Sequence, residues 1–152
     1  MGATHFSGPV IAGDLQQGET NGPNQGNVRL SQFTSITQNG ATAVSSTIYI
    51  PAGSRITGFD VDVLTAFNNA TTVTVTIGIT AGGTEYVGSI NGKTAGRASI
   101  TYTAAQLAAM AGVTTTGAAS PTTAPVVITA TPSGGTAPTA GYIAITVNYV
   151  QQ

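Results

Sequence analysis

Apolar and small polar residues alternate along much of this chain, and the alternation is most regular between residues 71 and 80. Val73, Val75, Ile77 and Ile79 fall on one side of an extended chain, while threonines and one glycine fall on the other. A period of two is typical of a β-strand with one buried face and one solvent face. The solvent face carries threonine instead of charge, which indicates a strand that lies beside other protein.

The same pattern predicts about seven or eight short strands separated by turn signals such as Asn39-Gly40 and Asn91-Gly92. This spacing predicts an all-β fold, an antiparallel β-sandwich that is jelly-roll-like. An immunoglobulin-like sandwich has the same spacing, but the buried Trp and paired Cys that would favour it are absent. The predicted strands are 28–37, 44–50, 55–64 with a bulge at Gly58, 71–80, 84–90, 97–102, 126–131 and 142–150, and a loop is predicted at 132–138.

One short helix interrupts the strands. Thr103 can cap its start, Gln106 can reach back to the cap, and Gly112 is a good residue to end it. Leu107 and Met110 are three residues apart. We therefore expect these two side chains to cover one edge of the core together.

Residues 1–27 differ from the rest because glycine, proline and asparagine interrupt them densely. Their spaced apolar residues still need a place to be buried. The segment is therefore predicted to be an extended N-terminal arm that lies on a neighbour, followed by a single β-sandwich domain, residues 28–152. The residues predicted to bind a partner are His5, Phe6, Pro9, Val10, Ile11 and Leu15.

Charge is scarce, since 6% of the 152 residues are charged, against about 25% in an average soluble protein. A nucleic-acid partner is not expected because it requires clustered Lys and Arg, and an electrostatic membrane contact is not expected for the same reason. The chain contains no cysteine, which excludes disulfides and thiolate chemistry. Low charge with moderate hydrophobicity favours a surface that is covered in an assembly.

No catalytic group stands out. His5 is the single histidine, near the start of the chain, and one His without a nucleophile and an orienting acid does not make a triad. Residues 88–94 resemble a phosphate-binding loop briefly, but Val87 stands where the first Gly should be. That segment is interpreted as a hairpin tip. The chain is expected to be no enzyme, with no catalytic residue, no metal and no cofactor.

Asp60 and Asp62 share one strand face and leave two interpretations open. Two carboxylates can flank a glycosidic bond or hold a cation. They can also form part of a polar face with Arg55 or Arg97 nearby. The second interpretation is favoured, because a hard cation needs several oxygens and only Glu85 is close in sequence.

Several stretches of the chain resemble the capsid decoration, or cement, proteins of tailed bacteriophages. Together these stretches span most of the chain, and the first is the most distinctive. They are ATHFSGPV at 3–10, IYIPAGSRI at 48–56 with DVDV at 60–63, TAGGTEY at 80–86, KTAGR at 93–97, TAAQL at 103–107 and ITVNY at 145–149.

The resemblance implies a non-enzymatic virion protein on the outer surface of an assembled capsid. Its partners would be the major capsid protein and other copies of itself, as a homotrimer that bridges neighbouring capsid subunits. Two alternatives stay open at this point: a head-fibre or tail-tip adhesion subunit, and a carbohydrate-binding jelly-roll module. Sugar binding would require exposed tyrosines on one face or loop rim.

Overall fold

The computed structural model describes residues 29–51, 54–111 and 123–150, so the predicted arm and its six partner-binding residues lie outside the described residues. Eight strands and one helix follow each other along the chain. They are β1 (Arg29–Thr37), β2 (Val44–Pro51), β3 (Arg55–Thr65), β4 (Ala70–Gly78), β5 (Val87–Asn91), β6 (Gly96–Arg97), α1 (Ala104–Ala111), β7 (Thr123–Gly135) and β8 (Tyr142–Val150).

The strands form two four-stranded antiparallel sheets, which confirms the predicted all-β sandwich. The first sheet has the order β1-β8-β3-β6, and the second sheet has the order β2-β7-β4-β5. The pairs β1 with β8, β2 with β7, β3 with β6 and β4 with β5 are nested, as they would be if one long hairpin were wound over itself. A jelly roll has nested pairs of this kind, and the jelly-roll assignment stays a prediction.

The core lies between the two sheets and consists of the residues predicted from the period of two. Val73, Val75 and Ile77 of β4 are all 2% exposed or less. In β8, buried residues alternate without interruption with half-buried ones. The predicted bulge at Gly58 is present, because the register between β3 and β8 shifts between Ile56 and Gly58.

Strand β7 is longer than predicted, because residues 132–135 continue the strand instead of beginning a loop. It pairs with β2 along residues 123–130 and with β4 along residues 127–135. Pro125 and Pro132 each lie where β7 has one neighbouring strand instead of two. Their missing N–H groups can therefore face the unpaired side, so no ladder hydrogen bond is lost.

The predicted capping box at the start of α1 is confirmed. The backbone N–H of Gln106 donates to the Thr103 hydroxyl at 3.3 Å, and the backbone N–H of Thr103 donates to Gln106 Oε1 at 2.9 Å. The expectation for Leu107 is wrong: Met110 is buried, but Leu107 is 53% exposed. Side chains three residues apart point in directions that differ by about 60° around the helix axis. In a helix of eight residues only the edge with Ala109 and Met110 packs on the core.

No helix in the described ranges is long and apolar enough to cross a membrane.

Two predicted strands are shorter in the structure. The chain leaves the sheet after Arg97, because the hydroxyl of Tyr102 accepts a hydrogen bond from the Phe59 N–H, where a further strand would have paired. The predicted strand 84–90 begins only at Val87. Ile79 was expected on the buried face but is 44% exposed, since β4 ends at Gly78.

Candidate interaction surface

The seven charged residues in the described ranges are distributed unequally between the two sheets. Those within strands all belong to the first sheet, on β1, β3 and β6. The strands of the second sheet carry no charged residue at all. Glu85 and Lys93 lie in the turns on either side of β5. One sheet of the sandwich therefore presents an uncharged surface.

The outer surface of the second sheet is built mainly from threonine and serine, and we call it the threonine face. Its residues alternate along each strand with the buried residues of the core. Cross-strand neighbours are themselves threonine or serine, as in Thr74 opposite Thr131 and Thr72 opposite Ser133. The exposed or half-buried members are Ser45, Thr47 and Tyr49 of β2, Thr72 and Thr74 of β4, and Thr131 and Ser133 of β7.

The turn between β4 and β5 covers one part of the threonine face. The N–H of Gly82 donates to the Thr129 hydroxyl at 2.9 Å, and Thr129 is 3% exposed. The Glu85 carboxylate accepts the N–H of Ile79 at 3.1 Å, which holds the turn back against Gly78. The uncovered part lies around Thr72 and Thr131, away from this turn.

One side of the sandwich is formed by the edge strands β1 and β2, and we call it the β1–β2 side. Each of these strands carries one strongly exposed aromatic residue on the outer surface of its own sheet: Phe33 is 63% exposed and Tyr49 is 61% exposed. Side chains join the two strands, through Gln32 Nε2 to the Tyr49 carbonyl oxygen at 3.1 Å and through the hydroxyls of Thr34 and Ser46 at 2.5 Å. No charged residue occurs between Leu30 and Ser54, so this side is also uncharged.

Asp60 and Asp62 are held by Arg97, as the favoured interpretation of the sequence expected. The guanidinium binds both carboxylate oxygens of Asp62, with Nε at 2.8 Å and Nη2 at 2.9 Å. These hydrogen bonds keep the pKa of Asp62 below its ordinary value and raise the pKa of Arg97. Asp60 accepts a hydrogen bond from Asn148 at 2.8 Å and lies 3.8 Å from Arg97 Nη1. The charges therefore compensate each other across the outer surface of the first sheet.

The segment that briefly resembles a phosphate-binding loop is a structural turn. Asn91 Oδ1 accepts the N–H of Lys93 at 2.9 Å, and the ammonium of Lys93 donates to the Ala70 carbonyl oxygen. The interpretation as a hairpin tip is wrong in one respect, because β5 pairs with β4 whereas β6 pairs with β3. The turn thus connects the two sheets.

The described residues contain no group of three or more His, Asp and Glu side chains that could share a metal ion. Of the five tyrosines, Tyr86 and Tyr149 are buried, Tyr102 and Tyr142 are half-buried, and Tyr49 is exposed. Burial and the neighbouring Glu85 raise the pKa of Tyr86. A sugar platform of several exposed tyrosines is therefore not formed by these side chains.

Sequence reasoning pointed to the threonine face through β4 but missed the β1–β2 side. The exposed Phe33 and Tyr49 lie on different sheets, and only the strand order brings their strands together. The one available signal was the imperfect alternation of residues 28–37. It indicates a strand that does not bury a full face.

Searches of protein-family models, of curated proteins and of solved structures found no match to this chain.

Proposed function

We propose that this protein is a non-enzymatic structural subunit of a virion that binds the outer surface of an assembled capsid. The observation that carries the proposal is the absence of charge from every strand of the second sheet. A small soluble domain ordinarily needs about 25–35% charged residues on its surface. An uncharged sheet surface of threonine and serine is therefore best accounted for as a surface that other protein covers.

Contact through such a surface stabilises a shell by mass action. A ligand that binds only the assembled state shifts the equilibrium towards assembly, and many copies repeat that gain over the shell. Threonine and serine hydroxyls can bond to backbone groups of the partner, and their methyl and methylene groups pack without desolvating a charge. The major capsid protein is the proposed partner, and neighbouring capsid subunits are bridged.

The N-terminal segment contributes a second contact in this proposal. In sequence, residues 1–27 come before β1, which is an edge strand of the first sheet. An extended segment with spaced apolar residues can add a strand to a neighbour or lie across it. The residues proposed to make this contact are His5, Phe6, Pro9, Val10, Ile11 and Leu15.

Binding to assembled shells that lack this protein tests the proposal. A lysine on the uncovered threonine face, as in Thr72→Lys or Thr131→Lys, is expected to weaken co-sedimentation with shells at least about tenfold, because the charge would be buried at the contact. The matched control is Thr65→Lys, which adds the same charge to an exposed position of the first sheet. Removal of residues 2–15 is expected to leave a folded domain that binds weakly.

Two results would contradict the proposal. Equal binding by all three lysine variants would exclude the threonine face as the contact. Binding of the isolated protein to glycans, with no binding to shells, would support the carbohydrate-binding or adhesion alternatives instead.

A further inference from the structure

Within the part of the chain that the structure describes, edge strand β1 has none of the protection that edge strands usually have. Natural sheets block their edges with short strands, charges, prolines or bulges, because an open edge can pair with another chain. β1 is nine residues long, contains no proline, and keeps an unbroken register with β8 from Arg29 to Thr37. Its single charge is at its first residue.

The other three edges are protected in one of these ways. β6 has two residues, one of them Arg97. β5 has five residues, its register with β4 is irregular, and Lys93 follows it. β2 ends in Pro51. β1 is thus the long, regular edge that this sandwich leaves available.

The sequence of β1 is nearly symmetric about Phe33. If two copies of the strand run antiparallel with Phe33 opposite Phe33, Gln32 faces Thr34 and Ser31 faces Ser35. One step further out, Leu30 faces Ile36. Each residue would meet a residue of similar polarity, and directly opposite side chains are the pairs that stabilise a sheet. Self-complementarity of this kind is what a two-fold interface requires.

We propose that β1 of one copy pairs antiparallel with β1 of a second copy across a two-fold axis at Phe33. The two first sheets then join into one continuous eight-stranded sheet. Charge permits this approach, because Arg29 lies opposite Thr37 of the second copy and no charge occurs between Leu30 and Ser54. Like charges facing each other would oppose it.

The exposed Phe33 side chains meet in this arrangement. The two rings lie opposite each other on the outer surface of the joined sheet, where directly opposite aromatic side chains attract each other. Contact between two rings that are each 63% exposed in a single copy provides a hydrophobic contribution. Tyr49 does not take part, because its side chain lies on the outer surface of the second sheet.

The β1–β2 side is too small to form a stable interface between two copies by itself. This side is about 30 Å long, and the two sheets lie about 10 Å apart. Its area available for contact is therefore roughly 300 Å². A stable interface buries about 800 Å² on each partner. Residues outside β1 and β2 must therefore supply the rest of the contact between the two copies.

This inference rests on β1 alone and not on binding to a shell. It differs from the threefold arrangement that the resemblance to decoration proteins implies, because an isologous edge joins two copies. The first test is the mass of the full chain by analytical ultracentrifugation. Twice the chain mass supports the inference, whereas a monomer or a trimer overturns it.

The second test determines the register. The chain has no cysteine, so Phe33→Cys introduces one thiol per copy. Directly opposite Cα atoms of an antiparallel pair lie about 4.5–5.5 Å apart, within the range of about 4.4–6.8 Å that a disulfide spans. The matched control is Ser31→Cys, on the same strand, also exposed. In the proposed register the two introduced cysteines would be four residues, or about 13 Å, apart along the paired strands. This distance is too long for a disulfide.

We expect Phe33→Cys to form disulfide-linked dimers under mild oxidation at least about tenfold faster than Ser31→Cys, because only the first pair has a high effective concentration. Equal rates would overturn the register. Phe33→Lys is expected to convert the dimer to a monomer with unchanged circular dichroism, because Phe33 lies outside the core. A Phe33→Lys chain that stays dimeric would exclude β1 as the contact. A dimer that fails to bind shells would instead contradict only the proposed function.

Discussion

The side-chain amide of Gln32 on β1 lies 3.1 Å from the carbonyl oxygen of Tyr49 on β2 and 3.1 Å from the hydroxyl of Tyr149 on β8. One side chain therefore joins the edge of the first sheet to the edge of the second. It also holds Tyr149, which is 4% exposed, at the end of the core. The β1–β2 side is a fixed surface because of this contact.

Replacement of Gln32 by alanine is expected to lower the free energy of unfolding by about 1–3 kcal/mol, because it leaves two polar groups without their partner. Chemical denaturation measures the change. Ser31→Ala, at an exposed position of the same strand, is the control and should cost less than about 0.5 kcal/mol. Equal effects of the two substitutions would show that the Gln32 contact does not join the sheets in solution.

The reciprocal hydrogen bonds of Thr103 and Gln106 predict a loss of stability when either is removed from the start of α1. Thr103→Ala is expected to cost about 1 kcal/mol, and Gln106→Ala a similar amount. Each substitution removes one of the two hydrogen bonds and leaves one backbone N–H without its partner. Denaturation experiments in which both single variants are as stable as the unmodified protein would contradict the capping box.

Gly78 is predicted to be intolerant of a side chain. A Cβ at this position would lie 2.5 Å from the carbonyl carbon of Gly83 and would displace the turn that covers Thr129. Gly78→Ala is therefore expected to destabilise the fold by about 1–3 kcal/mol.

The control for Gly78 is Gly88→Ala. A Cβ at Gly88 meets its nearest atom, Gln106 Nε2, at an ordinary 3.5 Å, and this substitution should be close to neutral. Thermal denaturation of both variants compares them, and similar melting temperatures would argue against the close packing of the turn.

The Asp62–Arg97 pair predicts a small dependence of stability on pH in the acidic range. The folded-state pKa of Asp62 lies below its ordinary value of 3.8, chiefly because Arg97 donates hydrogen bonds to it. The stabilisation is therefore fully present above that ordinary value and is lost as the pH falls through the lower folded-state pKa. Arg97 is exposed and Asp62 is only half-buried, so solvent screens the pair and the effect is small.

Melting temperatures measured from neutral pH down to about pH 2 test this dependence. Asp62→Asn should be less stable than the unmodified protein at neutral pH and should approach it at the acidic end. Arg97→Gln should behave alike, because either substitution removes the same pair. A difference that grows as the pH falls would have the wrong sign and would exclude the pair as its cause.

Salt is predicted to have little effect on the contacts of this protein. Neither the threonine face nor the interior of β1 carries a charge, so there are no interfacial ion pairs for salt to screen. The dissociation constants for shell binding and for dimer formation should each change less than about twofold between low salt and about 1 M. A steep loss with salt would indicate a contact through Arg29, Arg55 or Lys93.

Local patterns predicted the sandwich because its strands bury one face each. Val73, Val75 and Ile77 alternate with threonine in sequence and are buried in the structure. The capping box could be predicted because both of its hydrogen bonds form within one turn of the chain. Such features depend on neighbours in the sequence alone.

Features that depend on tertiary contacts were not predictable. The strand predicted at 97–102 ends early because the hydroxyl of Tyr102 bonds to Phe59, 43 residues away. Pro132 can lie within β7 because β2 does not extend that far, so β7 pairs there with β4 alone. Leu107 is exposed because of how a short helix lies on the core.

The candidate surfaces also combine features that the sequence predicts with features that depend on tertiary contacts. The polar composition of the threonine face is visible in the pattern of β4. The pairing of Asp62 with Arg97 was one of two open interpretations, and the register of β3 with β6 decides it. The strands that carry the exposed Phe33 and Tyr49 form one side of the molecule because β1 and β2 lie next to each other, which no local pattern specifies.

The most direct test of the central claim, that this protein binds the outside of a capsid, is an electron cryo-microscopy reconstruction of the virion proposed to contain it. The claim predicts density for this sandwich on the outer surface of the capsid, with the threonine face against the shell proteins. Density confined to a fibre or the tail would contradict the proposed location, and particles that lack the protein altogether would contradict its structural role.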